Sequence, residues 1–312
     1  MQMPYVLDDQ FIHDILERLL THGTDVQFQD HITYIDDIIS YIEDNQLGTI
    51  YVCDNIYDLD ISGTRLCDVL YSHQTNGITR DLMLQLAIII DKAVHFDSAE
   101  YIDSNQYRVD EPFLLSSFIS NTISGIISQN DPLSISSWDD EKNILISDCK
   151  QAHVAYRVKC YSVLSEFDQI YLEKDKVWPN LYFSNKATRF SSFKLAHLTY
   201  KNSVLKHLDY LNDKAKHHFN LQPSPSTFIQ EAGSEGIELS PESTKTRNSN
   251  NKMNQRNITI DNTTVLCEWH TKITKTMGRI HFNINIGGAF PAINYKVSNK
   301  VIIGIFTDHL SI

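Results

Sequence analysis

Apolar residues recur three and four positions apart in Phe11-Ile12-Ile15-Leu16-Leu19-Leu20 and again in Ile32-Ile35-Ile38-Ile39-Ile42, a spacing that predicts two amphipathic helices. Gly48-Thr49-Ile50-Tyr51-Val52-Cys53 is a short β-branched run closed by Asp54-Asn55, as in a buried strand. Further helices are predicted over Gly63 to His73 and Thr79 to Ala93. From Asp103 to Lys159 the pattern is mixed, and Asn143 to Ser147 and Ala152 to Tyr156 fit either strand or helix. Cys160 to Leu172 and Ser191 to Phe219 read as helices, the second with an apolar stripe through Leu195, Leu198, Val204, Leu205, Leu208 and Leu211.

The pattern changes at residue 221. Leu221 to Thr264 holds Pro223, Pro225, Pro241 and the polar run Arg247-Asn248-Ser249-Asn250-Asn251-Lys252, and reads as a linker or long surface loop. Strand-like runs follow at Ile258 to Ile260, Thr264 to Ile273, Arg279 to Ile286 and Lys300 to Thr307, separated by turn residues as in an antiparallel meander. The expected fold class is α+β, a mainly helical amino-terminal part followed by a small antiparallel sheet. The expected domains are 1–220, acidic and mostly helical with one or more short strands; 221–263, polar linker; and 264–312, basic sheet module. The apolar face of that sheet is expected to pack on the Ser191 to Phe219 helix.

Composition sharpens this division. The 312 residues carry a net charge of −12. Thr244 to Ile312 holds nine Lys and Arg against three acids, leaving 18 basic and 36 acidic residues for the rest. A basic module on an acidic body suggests an anionic ligand, or mutual attraction of the two parts. No apolar run reaches the roughly 18 residues of a membrane span, and no secretory signal is visible, so no membrane is expected and a cytoplasmic location is assumed. The five cysteines are scattered with no C-x-x-C, and read as reduced, buried thiols.

The candidate chemistry lies in the basic module. In strands, the period of two puts Glu268, His270 and Lys272 on one face, and Arg279 and His281 on one face of the next strand. An acid, two imidazoles and two cations are the ingredients for moving protons at a phosphate ester and neutralising its developing charge. The expected chemistry is metal-free RNA cleavage. His270 or Glu268 takes the 2′-hydroxyl proton, His281 is the general acid, and Arg279 and Lys272 stabilise the transition state; His309 is a further candidate. Lys245, Arg247, Lys252, Arg256 and Lys275 are expected to contact nucleic acid, RNA in the first instance. The same surface also fits an ordinary solvated sheet face with cross-strand ion pairs.

On the Glu-x-His-x-Lys run, the Arg-Ile-His-Phe run and the closing apolar strand, Thr264 to Leu310 resembles the RelE-like ribonuclease toxins of bacteria. The order of a helical part and a compact basic module looks like proteins of bacterial phage-defence or toxin systems. The resemblance implies a ribonuclease effector held in check by its acidic part or by a regulatory protein partner, with no cofactor.

Two alternatives stand beside it. Glu231, Glu235, Glu238 and Glu242, or Asp261 with Glu268 and Lys272, could form a carboxylate site for Mg²⁺ in a metal-dependent DNA nuclease. A non-catalytic module binding nucleic acid or protein is the other. The chain has no phosphate-cradling G-x-x-x-x-G-K-[ST] loop, no dinucleotide G-x-G-x-x-G and no G-x-S-x-G elbow, which disfavours nucleotide hydrolysis, dinucleotide redox and serine hydrolysis.

Overall fold

A computed structural model describes residues 3–22, 25–72, 80–96, 124–129, 143–193, 197–221, 224–285, 288–308 and 310. It divides into two compact units, Met1–Val163 and Leu164–Ile312. Both contain helices and sheet, the α+β composition predicted from the sequence. No helix among the described residues is long and apolar enough to cross a membrane.

The amino-terminal unit is organised by a parallel sheet. Its strands are β1 (Met3–Leu7), β2 (Gly48–Cys53), β3 (Val94–Phe96), β4 (Ser124–Ile127) and β5 (Asn143–Ile146), in the order β3-β2-β1-β4-β5. All four pairings are parallel. Central parallel strands are covered on both faces and so show no alternation. That is why Met3 to Leu7 leaves no period-two signal, although Met3, Tyr5, Val6 and Leu7 are all buried. Pro4 is tolerated because it lies ahead of the stretch, starting at Tyr5, that pairs with β4.

Helices α1 (Asp9–His22) and α2 (Asp25–Asp44) are those the spacing predicts, and Phe11, Ile12, Ile15, Leu16, Ile32, Ile35, Ile38 and Ile42 are buried. Shorter helices α3 (Leu66–Tyr71) and α4 (Arg80–Lys92) follow, and α5 (Cys149–Val163) takes in the ambiguous run Ala152 to Tyr156. The Tyr34 hydroxyl of α2 donates to the carbonyls of Ser128 and Ile146, 3.0 Å from each, tying the ends of β4 and β5.

The carboxyl-terminal unit holds a mixed sheet of β6 (Leu181–Phe183), β7 (Leu239–Pro241), β10 (Trp269–Lys272), β11 (Arg279–Ile284) and β12 (Val301–Thr307), in the order β6-β12-β11-β10-β7. The expected meander is β10, β11 and β12; β7 adds an antiparallel edge and β6 a parallel one. A separate hairpin joins β8 (Asn257–Ile260) to β9 (Thr263–Leu266). The single strand expected over Thr264 to Ile273 is therefore two. The Cys267 amide bonds to the Arg256 carbonyl and the Glu268 carbonyl accepts from the Glu242 amide, so the chain changes partners there.

Two apolar clusters support this sheet. One gathers Ile258, Ile260, Val265, Cys267, Ile293, Val297, Ile302 and Ile305. The other is aromatic, with Phe167 and Phe193 both against Phe306 at centroid separations of 6.0 and 5.1 Å. Helices α6 (Phe167–Leu172), α7 (Lys174–Val177), α8 (His197–Asp213) and α9 (Ala215–Leu221) precede the sheet's later strands.

Residues 221–263 are a correction to the expected linker. They contain α10 (Pro225–Ser234), β7, α11 (Thr244–Arg247), α12 (Asn250–Asn254) and β8. Their apolar residues are few, but Phe228, Ala232, Ile237, Leu239, Ile258 and Ile260 are all buried. Pro225 opens α10 at the first-turn position where its missing N–H costs nothing, and the Ser224 hydroxyl accepts from the Thr227 amide. The unit boundary correspondingly falls at Val163/Leu164 and not at 220.

Gly125 of β4 gives a direct test of the parallel sheet. A Cβ there would meet the Tyr5 ring at 2.7 Å and Ile146 Cγ1 at 3.0 Å. Gly125→Val is expected to destabilise the amino-terminal unit by about 1–3 kcal/mol through overpacking. Urea denaturation followed by far-UV circular dichroism checks it; unchanged stability would contradict this packing.

Candidate functional site

The pairing of β10 with β11 sets His270 directly opposite His281, and Lys272 opposite Arg279. On the other side of β10, Ser240 is opposite His270, and the bond from the Glu242 amide to the Glu268 carbonyl carries the ladder one step further. The period of two then places Glu242, Glu268, His270, Lys272, Arg279 and His281 on one face. The five predicted residues do share a surface, but they do not act on one point.

Glu268 pairs with Arg247, and Lys272 with Glu238. Arg279 is buried and spends its guanidinium on the hairpin, donating to the carbonyls of Thr274, Gly278 and Lys275 at 3.0 Å each. It is a loop clamp, which corrects its expected role at a transition state. His281 is only 2% exposed, which corrects its expected role as an acid open to substrate.

What converges instead is Glu242, Arg256, His270 and His281. Arg256 is 1% exposed and its Nε donates to Glu242 Oε1 over 2.8 Å. The same carboxylate oxygen lies 3.7 Å from Nδ1 of His270 and 3.7 Å from Nδ1 of His281. The two rings are tilted, with centroids 5.1 Å apart. His270 Nε2 lies 3.3 Å from Ser240 Oγ. Burial pushes the His270 imidazole down to about 4, partly opposed by the Glu242 charge, and burial likewise holds His281 well below its usual range. Both rings are therefore neutral at pH 7 and carry one lone pair each. Glu242 and Arg256 appear among the expected residues only as a loop acid and a nucleic-acid contact. Arg256 cannot serve as that contact, being buried by α12 and the Lys252 carbonyl that it also bonds at 2.8 Å.

Of the other expected nucleic-acid contacts, Lys245 and Lys275 are exposed, Lys252 is half-buried, and Arg247 is exposed but paired. Lys272 and Lys275 reappear in an open cleft with Ser203, Lys206 and His207 of α8, Gly236, Glu238, Ile273 and Thr274. Three ammonium groups against one carboxylate make this cleft cationic. Lys206 escaped notice because Lys206-His207 reads as an ordinary polar helix face. The alternative carboxylate set is dispersed: Glu235 pairs with Lys214, Glu238 with Lys272, Asp261 with Lys296, and Glu268 with Arg247. His309 lies outside the described residues.

The amino-terminal unit has a second candidate. In its strand order, the sequence of crossovers reverses between β1 and β4, and open parallel sheets bind ligands beyond the carboxyl ends of the strands at such a switch point. Asp8 and Asp9 follow β1 there, and Ser128 follows β4. Both acids are 5% exposed, and the Ser128 hydroxyl donates to Asp8 Oδ2 over 2.7 Å. Burial raises the Asp8 carboxyl, partly offset by the Ser128 bond; burial and then the Asp8 charge push Asp9 up to about 8. Asp54 after β2 and Asp148 after β5 lie along the same carboxyl edge. No glycine spacing or catalytic motif marks this edge, so it was invisible without the sheet.

The chain is thus an α+β protein of two units, one with two buried acids at the carboxyl edge of a parallel sheet and one with a largely buried Glu-Arg-His-His cluster and a lysine cleft. No family model matches it, and neither a curated protein nor a solved structure does.

The cluster predicts two stability effects. Arg256→Met leaves the Glu242 charge buried alone and should cost about 3–5 kcal/mol, whereas Glu242→Leu combined with Arg256→Met should recover most of that loss; equal losses in chemical denaturation would contradict a coupled pair. His207 supplies a pH test, since burial and then Lys206 lower its imidazole to about 4. The folded state takes up this proton less readily than the unfolded chain, so the stability is present above roughly pH 6.5 and lost as pH falls toward 4. His207→Gln should flatten that loss by about 1–3 kcal/mol in a pH series of denaturation curves.

Proposed function

We propose that the protein is a nuclease effector that cleaves phosphodiester bonds with a divalent cation at the Asp8–Asp9 pair, and grips nucleic acid through the lysine cleft of its carboxyl-terminal unit. The observation that carries the reading is the placement of two buried, adjacent carboxyl groups at the switch point of a parallel sheet. Two desolvated acids one residue apart repel each other when both ionise, and a hard cation offsets that cost. Such an ion supplies positive charge to the developing phosphorane and lowers the pKa of a bound water. Asp8 and Asp9 offer the oxygens, and the Ser128 hydroxyl fixes the Asp8 carboxylate. Lys206, Lys272 and Lys275 neutralise backbone phosphates.

This is the carboxylate alternative of the sequence reading, moved to different acids. Metal-free RNA cleavage needs an accessible acid, and burial disfavours the cationic, acid form of both imidazoles of the cluster. The setting in a bacterial toxin or phage-defence system, and a regulatory protein partner, belong to the same proposal.

Labelled RNA and DNA, incubated with Mg²⁺ or Mn²⁺ and with or without EDTA, test it. Cleavage should require the metal, and Asp8→Asn and Asp9→Asn should each lower it by roughly a hundredfold or more, the scale on which one catalytic group is felt. Cleavage that survives EDTA and falls in His270→Ala would return the centre to the carboxyl-terminal unit. Salt-dependent binding with no cleavage, weakened by Lys206→Ala, Lys272→Ala and Lys275→Ala, would make the protein a binding module.

A further inference from the structure

The Glu242–His270–His281 cluster has a feature that packing alone does not explain. Nδ1 of His270 and Nδ1 of His281, the ring atoms that face Glu242, are buried without a direct hydrogen-bond partner. Each Nδ1 faces Glu242 Oε1, yet 3.7 Å is too long for a direct hydrogen bond. A buried polar atom left unsatisfied costs roughly 1–3 kcal/mol. Two such atoms facing one carboxylate are expensive unless something sits between them.

We propose that Glu242, His270 and His281 hold a divalent transition-metal ion of the zinc class, through Oε1 and the two Nδ1 atoms. The three ligand atoms lie within 4.8 Å of one another. Ions of this class bind imidazole nitrogen and carboxylate oxygen at about 2.0–2.2 Å, which puts ligand atoms on a tetrahedral ion roughly 3.3–3.6 Å apart. The two Oε1–Nδ1 separations of 3.7 Å need to close by only a few tenths of an ångström, and the separation of the two imidazole ligands, at most 4.8 Å, by up to roughly 1.5 Å. Two imidazoles and one carboxylate select a borderline cation over Mg²⁺ or Ca²⁺, which prefer all-oxygen shells.

The surroundings fit a ligand role. With its proton on Nε2, His270 donates to Ser240 Oγ and turns the Nδ1 lone pair inward. Arg256 Nε donates to the same Glu242 Oε1 and orients the carboxylate. Its charge also opposes the ion, so the affinity should fall below that of a site with a neutral second partner. The ligands come from three adjacent strands: β10, β11 and the residue just after β7. An ion here ties the edge of the sheet to its middle and leaves a fourth position for water. Nothing in this site depends on the nuclease reading, which rests on the other unit.

Full-length protein, stripped with a chelator and dialysed, is titrated with Co²⁺ as a spectroscopic stand-in for Zn²⁺. The expected result is a tetrahedral visible absorption saturating at one ion per chain, displaced by Zn²⁺, retained in Asp8→Asn/Asp9→Asn and lost in His270→Gln and Glu242→Gln. Because Glu242→Gln also breaks the ion pair with Arg256, unmutated protein labelled with ¹⁵N-histidine provides a second readout: Zn²⁺ should shift the Nδ1 resonances of two histidines. A weak octahedral Co²⁺ spectrum, or Nδ1 resonances that do not move, would overturn the site and leave a buried water as the bridging group.

Discussion

The Glu242–Arg256 ion pair is the contact on which the carboxyl-terminal unit turns. A carboxylate and a guanidinium, each almost wholly out of water, are tolerated only because they are bonded to each other. The pair fixes where the chain after β7 crosses the polar face of the sheet. Arg247 meets Glu268 from that same crossing segment, and the Cys267 amide bonds to the Arg256 carbonyl. Without the pair, nothing specific would hold these polar residues over a sheet, and the face would be the solvated surface suggested by its alternating sequence. With it, His281 is buried and His270 largely so, and burial disfavours the charged form of both imidazoles.

Much of the fold was legible because it repeats locally. The helical spacing of Phe11 to Leu19 and Ile32 to Ile42 survives intact, as does the meander of β10 to β12. The parallel sheet was hidden by its own burial, since Met3 to Leu7 and Ser124 to Ile127 present apolar groups to both faces. The segment 221–263 misled for the opposite reason: its composition is that of a loop, and a handful of apolar residues at the right places folds it. The site was half legible. Alternation placed His270 and His281 on one face, but long-range partners decided what they meet. Lys272 and Arg279 look catalytic in sequence, and the structure gives them to Glu238 and to three hairpin carbonyls. Glu242 and Arg256, fourteen residues apart, had no local signal of their pairing.

The two units place charge in contrasting ways. The amino-terminal unit puts acids at the ends of parallel strands, where the crossovers reverse and no cation is paired with Asp8 or Asp9 among the described residues. The carboxyl-terminal unit matches nearly every acid near its sheet to a lysine or arginine. Asp8 and Asp9 instead accept from the Gln10 amide at the start of α1, and Asp8 from the Ser128 hydroxyl as well, without a neutralising cation. That contrast, more than the net charge of either half, separates the two buried acids from the ion-paired surface.

The position of β12 within its sheet has a consequence for how the protein is made. β12 lies between β6 and β11 and every residue from Val301 to Phe306 is buried, yet it is the latest strand of the unit in chain order. Its parallel pairing with β6 joins Val301 to Leu181, a loop closed only after the intervening chain has been synthesised. During translation the amino-terminal unit can complete its sheet while Leu181 to Lys300 still lacks an interior strand. Until Val301 to Thr307 emerges, the edges of β6 and β11 are open templates for pairing with other chains. The carboxyl-terminal unit should therefore be the aggregation-sensitive half during synthesis, and the half that benefits most from a chaperone or an early-binding partner.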